Sequence, residues 1–244
     1  MVLAILRTVS YNGTHIPERI RRKFQETDRM KREYYNSNED FLERMWRNPK
    51  NVLNLIIIAV NVLMFVLVAV TGGSEDAENM IRWGAAYTPL IQQGEYYRLF
   101  TSMFLHFGPE HLLNNMLLLL FAGDYLEKGV GKLSYLAVYL LGGMAGSVCS
   151  WLYETSRGEA VLSAGASGAI FAVLGAIVVL LILNRGRLED LTIQRLGLMI
   201  VLTLMAGFQS AQVDNFAHIG GFVGGMMVMM LLSPFYLKRK KKNA

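Results

Sequence analysis

Long runs of apolar residues, separated by short polar segments, make up most of the chain after residue 51. A helix needs roughly 20 mostly apolar residues to cross the hydrocarbon core of a bilayer, so such runs predict membrane-spanning helices. Six runs fit, the second being the shortest: Val52–Thr71, Pro109–Ala122 (or as far as Leu126), Leu133–Leu152, Ala166–Leu183, Leu191–Phe208 and Asn215–Leu237. The pattern predicts an all-α membrane protein, a bundle of six transmembrane helices with a long outside loop, residues 72–108, after the first.

Polar stretches at both ends complete the predicted domain organisation. Residues 1–48 carry many charges of both signs and are expected to form a cytoplasmic N-terminal segment. Residues 49–237 hold the six predicted helices, and residues 238–244 form a basic cytoplasmic tail.

The basic residues predict how the chain is oriented in the membrane. Of the 24 Lys and Arg residues, eleven precede the first apolar run and five form the stretch Lys238–Lys242. Because cytoplasmic loops collect Lys and Arg, both termini are expected in the cytoplasm, as an even number of spans requires. This placement explains the net charge of +5 without nucleic acid as a partner. We expect a multi-pass protein of the plasma membrane whose main surroundings are the lipid bilayer.

Composition excludes several other classes of protein. A hydrophobic content of 53% and a mean hydropathy of +0.32 are too high for an ordinary soluble domain. The single cysteine, Cys149, lies inside the third run, which excludes a disulfide framework and a cysteine metal site. The four histidines form no HExxH motif, so no metal and no cofactor are expected.

A serine between glycines opens the fourth run, in the stretch Gly165-Ala166-Ser167-Gly168. Small residues there are typical of close helix packing, which is the simpler interpretation. The alternative is a nucleophile whose neighbouring glycines leave room for a substrate backbone. A serine hydroxyl is a weak nucleophile and needs a base within hydrogen-bonding reach.

Two other runs carry polar residues near their start. His111 and Asn115 are four residues apart and therefore share one face of the second helix. His218 shares a face with Gly221, and Gly221 and Gly225 form a GxxxG step that permits close contact. His111, Asn115 and His218 could simply form interhelical hydrogen bonds. Alternatively, His111 and Asn115 could donate to a developing negative charge.

Membrane depth favours the catalytic interpretation. With both termini inside, the second, fourth and sixth helices all run inward, which places His111, Ser167 and His218 near the outer surface. These are the parts of serine acyl transfer: a nucleophile, a base, and donors on a third helix. No buried acid is placed to orient His218, which indicates a Ser–His dyad. Phe171, one turn after Ser167, could pack on the imidazole.

These motifs resemble the rhomboid family of intramembrane serine proteases over roughly Glu95 to Leu237. The resemblance implies that Ser167 is the nucleophile and His218 the general base, and that His111, Asn115 and the Ser167 N–H form the oxyanion hole. It also assigns supporting roles to further residues: His106, Phe171, Gly165, Gly168, Gly221, Gly225, Arg98 and Glu127. The family often has Trp-Arg in the first outside loop, where this chain has Tyr97-Arg98. The link Gln209–Asp214 resembles the family's cap over the site, and the fifth helix a side gate.

The resemblance implies an intramembrane endopeptidase that cleaves transmembrane protein substrates. Two other functions stay open on the residues alone. An inactive relative that binds membrane clients would need a broken dyad, whereas Ser167 and His218 are both present. A transporter would favour ionisable residues or broken helices at mid-membrane, whereas the polar residues here cluster near one face.

Overall fold

The computed structural model describes residues 52–188, 191, 192, 194, 196, 197 and 214–243. The predictions for residues 1–48, for most of the fifth run and for residues 209–213 of the link fall outside this part of the chain. The described helices are α1 (Val52–Thr71), α2 (Ala77–Arg82), α3 (Thr88–Gln92), α4 (Arg98–Thr101), α5 (Gly108–Val130), α6 (Lys132–Arg157), α7 (Ser167–Leu183) and α8 (Asn215–Asn243). Two short antiparallel pairs accompany them: β1 (Ala86–Tyr87) with β2 (Leu162–Ser163), and β3 (Arg187–Leu188) with β4 (Leu191–Thr192).

The five long helices coincide with five of the predicted runs, and the prediction of a helical membrane protein is confirmed. Three described segments are long and apolar enough to cross a membrane: Val52–Thr71, Lys132–Arg157 and Asn215–Lys238. Helix α7 is also apolar but shorter, at 17 residues.

Three helices extend beyond their predicted ends: α6, which continues past Leu152 to Arg157, α5 and α8. Helix α5 continues to Val130 because Lys128 and Asp124, four residues apart, form a buried ion pair of 2.7 Å that keeps these charges within the helix. Helix α8 continues through the predicted basic tail to Asn243. Lys and Arg are good helix formers and suit the negative end of the helix dipole.

Helix α7 is the centre of the bundle. Thirteen of its 17 residues are buried, as expected for a helix that is apolar on every side. Helices α6 and α8 lie against it at positions without side chains. A Cβ on Gly225 would overlap the backbone of Ala172, and one on Gly142 would overlap the Ala172 side chain. These glycines therefore allow the three helices to pack backbone to backbone.

The long loop after α1 has structure of its own, namely helices α2 to α4 and strand β1. Arg98 fixes the loop from inside, since its guanidinium donates to the carbonyl oxygens of Ile81 at 2.7 Å and Ala85 at 3.0 Å and pairs with Glu95. The Tyr97 hydroxyl also donates to Glu95. These two contacts, Tyr97 first, lower the pKa of the Glu95 carboxyl. Through β1 and β2 the loop is joined to the segment that precedes α7.

Candidate active site

The turn before α7 is fixed by hydrogen bonds to its backbone. The Gly165 N–H donates to the Ser102 carbonyl oxygen at 3.0 Å, and the Ala166 N–H donates to His106 Nε2 at 3.4 Å. Gly165 has a φ of +151°, which residues with a side chain rarely adopt. Ser167 follows as the first residue of α7 and is half-buried.

His106 serves this turn as an acceptor. Burial lowers its pKa to about 3, with a smaller contribution from His111. The imidazole is therefore neutral near neutral pH, and because Nε2 accepts a hydrogen bond its proton is on Nδ1. The ring also packs edge-on against His111, with 5.2 Å between the centroids. His106 thus connects the end of the first loop to the turn before α7.

His111 and Asn115 lie directly beside Gly165. A Cβ added to Gly165 would be 3.0 Å from His111 Cε1 and Nε2 and 3.7 Å from Asn115 Nδ2. Asn115 is buried, and its Nδ2 has no hydrogen-bond partner within the described part of the chain. A buried amide donor without an acceptor costs free energy, so this position needs an explanation other than packing.

His218, in the first turn of α8, packs on the face of α7 that begins at Ser167. Its ring stacks on Phe171, with centroids 4.2 Å apart and planes 13° apart. Phe171 is four residues after Ser167 and so shares its helix face. The backbones also meet here: a Cβ on Gly168 would be 3.5 Å from the Ala217 oxygen, and one on Gly221 would overlap the Gly168 carbonyl.

The His218 imidazole is positioned by its stack on Phe171 and by the backbone hydrogen bonds at the start of α8. His218 Nδ1 is buried, and no described residue offers it a hydrogen bond. Asp214 precedes α8 and acts as its N-terminal cap: its Oδ1 accepts from the Ala217 N–H at 2.8 Å, and its carbonyl oxygen from the His218 N–H at 3.2 Å. Sequence reasoning missed this role, although an Asp just before an apolar helical run is a known capping signal.

An open cavity of about 490 Å³ adjoins these residues. Its walls come from the end of α6, the segment around β2, the start of α8 and His111. The other lining residues are Phe107, Ser150, Tyr153, Glu154, Glu159, Val161, Leu162, Ser163, Ala164, Asp214, Asn215 and Phe216. Tyr153 and Phe216 stack at 3.5 Å across the ends of α6 and α8. The cavity is open to solvent beside His111, the segment that precedes α7 and the start of α8.

Three predicted supporting residues lie away from this cluster. Arg98 is part of the first loop, as described above. Glu127 is near the far end of α5, where its carboxylate accepts from the Leu53 and Asn54 N–H groups at 3.1 and 2.7 Å and so caps α1. Gly225 packs on α7 one turn beyond Gly221. Among the described residues, no three His, Cys, Asp or Glu side chains are grouped to hold a metal ion.

Comparison with known proteins gives one consistent result. The Rhomboid domain model matches residues 93–235. The chain is 36% identical over 188 residues to rhomboid protease GluP of Bacillus subtilis, covering 77% of this chain and 36% of GluP. It is 32% identical over 209 residues to rhomboid protease AarA of Providencia stuartii, covering 76% of this chain and 74% of AarA.

A relative from a plant belongs to the same family. RHOMBOID-like protein 5 of Arabidopsis thaliana is 41% identical over 157 residues, which cover 63% of this chain and half of that protein. The chain thus spans about a third of GluP and half of this relative. The domain match covers more than half of the chain and includes each of the motifs at the start of α5, α7 and α8. The chain belongs to the rhomboid family.

Proposed function

We propose that this protein is an intramembrane serine endopeptidase in which Ser167 is the nucleophile and His218 the general base. The observation that supports this most strongly is the stack of His218 on Phe171, because it presents the imidazole to the helix face that begins with Ser167. The relatives GluP and AarA are both rhomboid proteases, which supports the same reaction class.

The reaction follows from the properties of these groups. Ser167 Oγ attacks the carbonyl carbon of the scissile bond and gives its proton to His218 Nε2. The imidazolium then protonates the departing amine, leaving an acyl-enzyme. Water, which reaches the site through the open cavity, hydrolyses the acyl-enzyme with His218 again acting as base. The carboxylate of Asp214 is hydrogen-bonded to the Ala217 N–H and not to the imidazole. Ser167 and His218 therefore act as a dyad, without a third residue.

The oxyanion hole is assigned to His111, Asn115 and the Ser167 backbone N–H. Asn115 Nδ2 is a buried donor without an acceptor among the described residues, which suits a group whose partner forms only during the reaction. The Ser167 N–H belongs to the first turn of α7, where the helix dipole favours negative charge. Gly165 keeps the space beside His111 and Asn115 free of a side chain.

The proposed substrates are transmembrane proteins, cut near the outer face of the bilayer. A peptide bond within a helix is hydrogen-bonded and shielded, so the substrate must unwind locally. Small residues beside the cut would fit against Gly165 and Gly168. The proposed architecture is six spans in residues 49–237, between a cytoplasmic segment 1–48 and a basic tail 238–244, in the plasma membrane with both termini cytoplasmic.

Cleavage of a reporter transmembrane substrate in proteoliposomes tests the activity. Ser167→Ala is expected to abolish cleavage and His218→Ala to reduce it nearly as far, since the hydroxyl then lacks its base. Ser233→Ala is the matched control, because that hydroxyl donates to the Met230 carbonyl oxygen on the exposed side of α8. Full cleavage by folded Ser167→Ala would refute the proposal.

The orientation has a separate test. Single cysteines replace Glu78, an exposed residue of α2, and Lys241, in a Cys149→Ala background. An impermeant thiol reagent should label the two positions from opposite sides of the membrane. Labelling from the same side would refute the proposed topology.

A further inference from the structure

The hydroxyl of Ser150 lies between two carboxyl groups at the edge of the open cavity. Its Oγ is 3.0 Å from Glu154 Oε1 and also makes a hydrogen-bond contact with Asp214 Oδ2. Ser150 and Glu154 are buried, and both lie on α6, four residues apart. Asp214 belongs to the start of α8, so the hydroxyl connects the two helices.

The number of hydrogen atoms shared by Ser150, Glu154 and Asp214 determines whether one of the two carboxyl groups is protonated. A serine hydroxyl has one hydrogen and can donate to only one acceptor, whereas an ionised carboxylate cannot donate at all. Both contacts of Ser150 are hydrogen bonds only if one carboxyl carries a proton. Asp214 already accepts from the Ala217 N–H at a helix N-terminus, where a negative charge is favoured. The proton therefore belongs on Glu154.

With this assignment every polar atom of the group has a partner. Glu154 Oε1–H donates to Ser150, and Ser150 donates to Asp214 Oδ2. The remaining Glu154 oxygen, Oε2, accepts from the Thr88 hydroxyl at 2.6 Å. The hydrogen-bonded chain thus runs from α3 in the first loop, through α6, to the residue whose carbonyl oxygen accepts from the His218 N–H.

Among the described residues that line the cavity, no Lys or Arg is present to replace the proton. The charged residues lining the cavity are Glu154, Glu159 and Asp214. Glu159 is paired with Arg157 at 2.8 Å. The other titratable groups that line the cavity or lie close to Asp214 are His111, Tyr153 and His218. If Glu154 ionises, two neighbouring carboxylates must share one hydrogen, and they repel each other.

We propose that Asp214 is a positioning residue for His218, and that it holds the α8 terminus on α6 only while Glu154 carries a proton. The proposal rests on the Ser167–His218 dyad proposed above. Loss of the proton loosens the contact between α6 and α8 and moves the imidazole away from Ser167. Turnover then falls at high pH although both members of the dyad are in their active protonation states.

The test is the rate of Ser167 labelling by a fluorophosphonate, measured from about pH 6 to about pH 9.5 on the full chain in detergent. The wild type should lose at least about fivefold in rate as pH rises through this range. Glu154→Gln should abolish that decline and keep the rate near neutral pH, because its amide donates permanently to Ser150. Glu159→Gln, which changes a carboxyl outside the hydrogen-bonded chain, should show the wild-type decline.

A second substitution keeps the test decisive if Glu154→Gln does not fold. Asp214→Asn retains the cap, since Asn caps as well as Asp, and its amide can donate to Ser150 while Ser150 donates to ionised Glu154. It should also abolish the decline. For the reporter substrate, Ser150→Ala should lower kcat about tenfold with KM little changed, a split that a loss of substrate binding would not give.

Three results would overturn the inference: a wild type without the decline, isosteric variants that both retain it, or a folded Glu154→Gln that is slow at every pH. Each of these results leaves the proposed Ser167–His218 dyad unrefuted, provided that Ser167→Ala is not labelled. Labelling of Ser167→Ala would instead refute the proposed function itself.

Discussion

Gly221→Ala probes the contact on which the proposed site depends. Gly221 is three residues after His218 on the same face of α8, where that helix meets the α7 backbone. A Cβ at this position would overlap the Gly168 carbonyl oxygen and lie 2.9 Å from its carbonyl carbon and 3.2 Å from its Cα. All three atoms belong to the backbone beside Ser167, so no side-chain rotation can relieve the overlap.

The size of the effect follows from these distances. Carbon atoms in van der Waals contact are about 3.5–4.0 Å apart, so the helices must separate by roughly 0.5–1 Å. Overpacking of this kind typically costs about 1–3 kcal/mol of stability. A displacement of about 1 Å in a catalytic arrangement can cost about 100-fold in rate. We therefore expect kcat to fall by about 100-fold, with a lower thermal midpoint.

The assay is turnover of the reporter substrate, normalised to the folded fraction of enzyme. Gly197→Ala is the matched control, because an added Cβ there meets no atom of the described residues within 4 Å. It should keep wild-type kcat and gain up to about 1 kcal/mol from helix propensity. A Gly221→Ala enzyme that turns over within about threefold of wild type would refute the close contact between α7 and α8.

Three further predictions concern single side chains. Asn115→Ala should lower kcat about tenfold or more with KM and thermal midpoint near wild type; unchanged turnover with a lower midpoint would make Asn115 a packing residue. Arg98→Leu leaves the Ile81 and Ala85 carbonyl oxygens without their donor and should cost about 1–3 kcal/mol for each buried group, measured as the loss of thermal midpoint against the exposed control Arg82→Leu; an unchanged midpoint would contradict the anchoring role. The pKa of His106 is lowered to about 3 in the folded protein, against about 6.5 in the unfolded chain. Between these two pH values the unfolded state binds a proton on His106 that the folded state does not. Folding stability therefore falls as the pH drops, by about 2 kcal/mol at pH 5. His106→Gln should flatten this dependence of the thermal midpoint on pH, and an equal slope in both proteins would contradict it.

Apolar run length was enough to predict the five long helices of the described residues. Within a bilayer the backbone N–H and C=O groups of each run must be hydrogen-bonded inside the run itself, which a helix achieves. Run length could not predict helix ends where a polar residue finds a partner. The second run was predicted to end at Ala122 or Leu126, but the ion pair between Lys128 and Asp124 keeps both charges inside α5. Nor could it predict the two-residue pairing of β1 with β2, which joins the first loop to the distant segment before α7.

The site was predictable in part for similar reasons. Ser167, His111 and His218 are unusual in apolar runs, and the spacing of Phe171 correctly suggested its stack on His218. The bridge from Ser150 to Asp214 joins residues 64 positions apart, and their spacing in sequence carries no signal of contact. Asp214 was named only as the last residue of the link, although its position before α8 was a readable capping signal.

The most direct test of the central claim is to identify the residue that a fluorophosphonate modifies in the intact protein, by mass spectrometry of the labelled chain. The proposed mechanism predicts a single adduct on Ser167 that forms far more slowly in His218→Ala, because the hydroxyl then has no base. The adduct should be absent in Ser167→Ala. An adduct on another residue, or equal labelling with and without His218, would contradict the proposal that Ser167 and His218 form the catalytic dyad.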